Sequence, residues 1–223
     1  MRGFDITQIH MRSLQISGLT AKWGIGNSRK PSIWDANLIG RWDARTFPDG
    51  ALATIPNTAT MAGKAPDLTV TGATMASGTL QFDGVDDGAI TSAFLFPERY
   101  TVFWDVDWLG SENKTTGIAH PENLYLYNLA ASGSILCIIK NTSGGYNTPN
   151  TNVGVSTNGN IYAPDGSITP FGGTIGTKMN AGPLFISKKG TAFTQMGFRQ
   201  LLIFNKELSQ AEVNEVLRVM FPA

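Results

Sequence analysis

Two carboxylates on one strand are the first candidates for chemistry. In Asp105-Val-Asp-Trp-Leu-Gly-Ser-Glu112, Asp105 and Asp107 stand two residues apart, on one face of an extended segment. Paired carboxylates serve glycoside hydrolysis, one as nucleophile or base and the other as acid across the scissile bond. Here Gly110 and Ser111 interrupt the strand before Glu112, and the match to a hydrolase pattern is poor. Asp105 and Asp107 therefore read as exposed carboxylates on a solvated sheet face. No catalytic residue is assigned, and the chain is not expected to be an enzyme.

Other reactive groups are sparse. Asp83, Asp86 and Asp87 cluster in a tight turn, and oxygen-rich turns can hold calcium. Their spacing is not that of an EF-hand, and Asp-Gly turns form for backbone reasons alone, so a structural turn is the favoured reading. His10 and His120 are the only histidines and lie far apart, which leaves no argument for zinc. There is no legible Ser-His-acid arrangement and no phosphate-cradling loop. No metal and no cofactor is expected.

Sugar recognition has a better compositional case. Apolar faces of sugars stack on aromatic rings while Asn and Asp bind hydroxyls. The segment around Tyr146 and Asn147, with Asn150, Asn152, Asn160 and Tyr162, has that composition, and Trp108 at a strand end could join it. Trp108, Tyr146, Asn147, Asn150 and Tyr162 form the candidate glycan site; an ordinary polar loop or a subunit interface is the alternative. Trp34, Trp42 and Trp104 read as core or seam, because tryptophan mostly packs.

The elements that must position these residues are short strands. Thr101–Trp108 alternates, with Val102, Trp104, Val106 and Trp108 on one face and Phe103, Asp105 and Asp107 on the other. Further strands are expected at 38–42, 67–71, 79–82, 124–129, 134–140, 184–187 and 198–204. Asp83-Gly84 is a hairpin-type signal. Residues 141–178 are rich in Gly, Asn and Thr and read as one or two weak strands with long loops, or an insertion. One helix is expected at the C-terminus: Ser209-Gln-Ala-Glu212 is a capping box, Val213, Val216, Leu217 and Met220 follow at helical spacing, and Pro222 stops it.

Composition agrees with this texture. Only 15% of the 223 residues are charged, against about 25% in an average globular protein, and there are 25 glycines. A net charge of zero argues against a dedicated nucleic-acid binder, and no apolar run approaches the ~18 residues of a membrane span. The single cysteine, Cys137, lies in an apolar run and reads as an inert small hydrophobe. Residues 1–24 show no secretory pattern, so synthesis in a reducing cytoplasm is expected. Residues 1–34 carry Arg2, Arg12, Lys22, Arg29 and Lys30 against Asp5 alone. With apolar pairs at Phe4 and Ile6, Ile9 and Met11, and Leu14 and Ile16, they read either as a docking arm, Arg12 included, or as an ordinary first strand. The domain division expected is an arm over 1–37 and a sandwich over 38–223.

Three segments resemble the laminin-G-like branch of the concanavalin A-like lectin/glucanase superfamily. They are Leu38-Ile-Gly-Arg-Trp-Asp-Ala44, Leu80-Gln-Phe-Asp-Gly-Val-Asp-Asp87 with the strand at 100–108, and Phe198 to Glu212 with its Asn-Lys-Glu-Leu-Ser turn and closing helix. The resemblance implies an all-β, two-sheet antiparallel jelly-roll sandwich with one short C-terminal helix. Glycosidases of that fold carry a pattern close to Glu-x-Asp-x-x-Glu, from which residues 105–112 depart. Members include sugar-binding modules, glycosidases, adhesive domains and structural parts of virions, and the fold does not choose among them. The arm and the cytoplasmic synthesis favour a non-enzymatic virion component: a phage head fibre, decoration protein or tail-associated protein. It is expected to be a homo-oligomer, commonly a trimer in such proteins, contacting other virion subunits and host-surface or mucosal glycans, with no nucleic-acid or membrane partner. The alternative is a stand-alone carbohydrate-binding module or lectin, and less readily a glycoside hydrolase.

Overall fold

Alternation along Thr101–Trp108 settles one face of the core at once: Val102, Trp104 and Val106 are fully buried. The other face differs from expectation, because Phe103 and Asp105 are buried as well. For Phe103 the reason is a third layer. The computed structural model describes residues 33–109, 113–121, 124–129, 134–139, 146–149, 153–157, 160–162, 168–170, 181–189 and 192–220. They form two antiparallel sheets, with helices over the outer face of one of them.

The helix-covered sheet has nine strands. From one edge these are Ile168–Pro170, Asn160–Tyr162, Val153–Thr157, Thr101–Trp108, Gln195–Phe204, Thr79–Asp83, Thr74–Ala76 and Gly50–Ala51. Leu38–Asp43 completes it by pairing with the second half of Gln195–Phe204. The facing sheet has eight strands, in the order Tyr146–Pro149, Ser134–Ile139, Leu124–Leu129, Asn113–His120, Phe185–Ile186, Gly88–Ile90, Leu68–Thr71 and Thr54–Ile55. Between the sheets lies the main core, where Trp42, Trp104 and Phe198 from the first meet Leu68, Ile118 and Ile186 from the second. This is the expected jelly-roll sandwich. Two short ribbons, Phe94–Leu95 with Ala181–Gly182 and Lys188–Lys189 with Ala192–Phe193, complete the described strands.

A second apolar cluster explains the third layer. Phe103, Leu202 and Phe204 point outward from the nine-stranded sheet and are covered by Val213, Val216 and Met220 of the C-terminal helix Gln210–Met220. The helix begins on the expected capping box: the Ser209 N–H donates to Glu212 Oε2 at 2.9 Å, and the Glu212 N–H lies 3.5 Å from Ser209 Oγ. Burial pushes the Glu212 carboxyl up, but hydrogen bonds from Lys206 and Ser209 outweigh it and hold the group below its ordinary value. At the far end Arg45 Nη1 donates to the Met220 carbonyl, closing a helix terminus that lacks an intrahelical partner.

A second, short helix, Ile33–Asn37, lies outside the sequence expectation. Its Trp34 is 2% exposed and meets Phe204 edge to face, so residues 33–37 pack as part of the sandwich that was expected to start at Leu38. Phe4, Ile6, Ile9, Met11, Arg12, Leu14 and Ile16 lie outside the described residues. Residues 141–178 hold four strands, more than their composition suggests. Asp83-Gly84 does not make a hairpin either. Thr79–Asp83 and Gly88–Ile90 belong to different sheets, so the turn carries the chain across the sandwich.

The outer cluster predicts a cooperative role for the C-terminal helix. Burying side chains such as Val216 is worth roughly 1.5–3 kcal/mol each, a large part of a typical stability of ~5–15 kcal/mol. Deleting residues 208–223 should abolish the cooperative thermal melt, and Phe204→Ala should cost about 3–5 kcal/mol in urea unfolding. A truncated chain that melts as sharply as the full one would show the helix to be peripheral.

Candidate functional site

A single bulge organises the polar groups of the helix-covered face. Gln195–Phe204 pairs with Thr101–Trp108 so that Phe198 opposes Val106 and Leu201 opposes Trp104, with a register shift between Phe198 and Gln200. Arg199 is the extra residue. A bulge inserts one residue and re-aims its side chain, and here the guanidinium reaches both acids of the neighbouring strand. Arg199 Nε donates to Asp105 Oδ1 at 2.7 Å, while Nη1 and Nη2 hold the two oxygens of Asp107 at 2.5 and 2.9 Å. Hydrogen bonding to Asp107 pushes the guanidinium above its ordinary value; burial opposes this and Asp105 reinforces it.

The expectation of exposed carboxylates on a solvated face is therefore corrected. Asp105 is 3% exposed and engaged by Arg199. The network extends sideways: Gln200 Nε2 donates to Asp43 Oδ2 at 3.0 Å, and Arg45 forks onto both oxygens of Asp43. Carboxylates held in this way are counter-ions. Acid–base work needs a group that can take or give a proton beside a substrate, and Asp105 and Asp107 are committed to a guanidinium.

The candidate glycan residues do not converge. Trp108 belongs to the core-facing row and lies so close over Gly117 of the other sheet that a side chain there would collide with its ring. Tyr162 opposes Val155, which opposes Phe103, so it sits on the opposite face of the nine-stranded sheet, five positions away along the strand from Trp108. At 5% exposure its ring packs with the outer cluster and offers no stacking surface. Tyr146 pairs with Cys137 at the edge of the eight-stranded sheet, a sheet away from Tyr162. Asn147 opposes Leu136, one position along, on the other face. Asn150 and Asn152 lie outside the described residues.

One part of that set does gather. Asn160 and Tyr162 share a short strand, and the Asn160 N–H donates to Thr157 Oγ1 at 3.0 Å. Thr157 Oγ1 also lies 3.5 Å from Glu207 Oε1. Burial pushes the Tyr162 phenol up, the charge of Glu207 adds to this, and a hydrogen bond with the Asn160 side chain opposes it. The result is a carboxylate, an amide and a phenol at one end of the sheet, just before the C-terminal helix. Sequence reasoning missed Glu207 because it lies in a segment read only as a turn. Its signal was an acid immediately before the apolar Leu208 and the helix cap.

The acidic turn is a local structure. Asp83, Asp86 and Asp87 bring ligand oxygens within 4.8 Å of one another. Asp83 Oδ1 accepts the Val85 N–H at 2.7 Å, and Asp87 Oδ2 accepts the Asp83 N–H at 3.0 Å. Gly72, at a φ of +81°, leaves the room that the Asp87 carboxylate fills.

No protein-family model matches the sequence, and no curated protein matches it. Solved structures do. A sialidase of Trypanosoma rangeli in complex with sialic acid superposes with a TM-score of 0.57 at 14% identity, over 95% of this chain and 39% of that one. The receptor binding domain of botulinum neurotoxin D superposes with a TM-score of 0.62 at 15% identity, over 85% of this chain and 54% of that one. This chain thus spans about two-fifths of the sialidase and half of the toxin chain. At such identities the likeness is one of fold.

The Arg199 clamp makes a measurable prediction. Removing one partner of a buried ion pair strands the other charge and costs about 3–5 kcal/mol. Arg199→Met should destabilise by that order, and adding Asp105→Asn should restore part of the loss, as read from chemical denaturation of all three proteins. A single variant as stable as the parent would show the clamp to be solvated after all.

Proposed function

We propose that the chain is a non-catalytic, glycan-binding adhesive domain. The observation that carries this is the fate of its one carboxylate pair: Asp105 and Asp107 are neutralised by Arg199, while Glu207 and Asn160 stand at the sheet end in the company of Tyr162. A carboxylate beside an amide is a set of hydroxyl acceptors and donors suited to recognition. The sandwich supplies the rigid frame. The likeness to a sialidase in complex with sialic acid and to a receptor binding domain supports surface recognition as the role. It gives no hint of a particle, and the setting we propose, a phage fibre, decoration protein or tail-associated protein, is supported by the basic and apolar composition of residues 1–34.

Binding of the full chain to a glycan array should give a defined subset of positive sugars. Glu207→Ala should reduce that signal about tenfold, in line with the loss of a charged hydrogen bond. Incubation with β-glucans, galactans and sialosides should release no reducing sugar. Hydrolysis lost in Asp105→Asn or Asp107→Asn would overturn the non-catalytic reading, and an array without positives would overturn the adhesive one.

A further inference from the structure

Among the described residues, Arg41 is a cation without an ion-pair partner. It opposes Leu202, and its backbone is fixed on both sides: its N–H donates to Asn57 Oδ1 at 2.9 Å, and its carbonyl accepts the Thr58 N–H at 2.9 Å. The guanidinium lies over the Trp34 ring, with Cζ 4.8 Å from the ring centroid. Its Nε is buried with no hydrogen-bond partner. Burial pulls the group below its ordinary value, while Asp43 raises it and Arg45 lowers it. The other arginines of this face are all engaged, Arg45 by Asp43 and Arg199 by Asp105 and Asp107. Asp43, two residues along, is saturated, with one oxygen taken by the Arg45 N–H and Nε and the other by Arg45 Nη2 and Gln200.

One further polar group at this ring lacks a partner. Trp34, 2% exposed, has a buried Nε1 with nothing to donate to. A buried polar atom without a partner is costly, and a half-buried charge more so. Among the described residues no acid forms an ion pair with Arg41.

We propose that Arg41, lying over the Trp34 ring, forms an anion site that takes the carboxylate of an acidic sugar. A guanidinium held over an aromatic ring keeps planar N–H donors for a bidentate carboxylate, a geometry that lysine cannot reproduce. The sugar half of this assignment rests on the glycan-binding reading above; the carboxylate half rests on the unpaired cation alone.

The test titrates the full chain with glucuronic acid, glucose and acetate, following tryptophan fluorescence and the shift of the thermal midpoint. Glucuronic acid should bind and glucose should not, and binding should weaken with salt. Arg41→Met should abolish the response while keeping a cooperative melt, because it removes an unpaired, half-buried charge. Arg41→Lys should weaken it about tenfold, through loss of the fork. Acetate binding as tightly as glucuronic acid, and lost in Arg41→Met, would support the anion site and count against the sugar. Array binding to neutral glycans that Arg41→Met leaves intact would keep the adhesive reading and sink the Arg41 site. If the parent chain shows no response to any carboxylate, the proposal fails whatever the variants do.

Discussion

The strand Gln195–Phe204 is bordered along its length by Thr101–Trp108, and on its other side by Thr79–Asp83 in the first half and Leu38–Asp43 in the second. Ten residues near the end of the chain thus hold together strands from its first half. Both faces of this strand are buried, one against the facing sheet and one under the helices, so it needs apolar residues on successive positions rather than alternate ones. Leu201, Leu202, Ile203 and Phe204, all fully buried, meet that demand. The joining of segments so distant in sequence makes early pairing improbable and folding slow. The last strand and its helix must arrive before the first strand has a partner.

The bulge at Arg199 follows from the same constraint. A strand buried on both sides has no solvated face on which to place a charge, yet the adjoining strand carries the buried Asp105. The inserted residue lets Arg199 and Gln200 both serve the outer face, one for Asp105 and Asp107 and the other for Asp43. Breaking the register is the local cost of satisfying three buried or half-buried acids. Arg45 then ties the same network to the end of the covering helix through the Met220 carbonyl.

Much of this architecture was legible in the residues. Alternation over Thr101–Trp108 gave the strand with its exact ends, and the capping box gave the helix start, because both depend on local rules. What failed was non-local. Asp105 and Asp107 looked solvated because nothing nearby in sequence announces Arg199 as their partner; the apolar stripe of Val213, Val216 and Met220 announced a helix without saying that it docks over Phe103 and Phe204. The paired polar residues Arg199-Gln200 inside an apolar strand were a legible sign of a bulge, but their partners were not. Tyr162 and Tyr146 failed for a related reason. Their neighbourhood is polar in composition, while the fold packs the Tyr162 ring into the outer cluster and puts Tyr146 in the other sheet. Arg41 carried no signal of its own in the sequence, and only the geometry of Trp34 and Asp43 shows that it has no acid among the described residues.

Trp34 and Met220 belong to the same outer cluster, near the two limits of the described domain. Entry and exit of the chain are therefore brought to one side of the sandwich, the side that carries the helices. A domain built in this way can be spliced into a loop of a host protein, or circularly permuted, with little disturbance of its core.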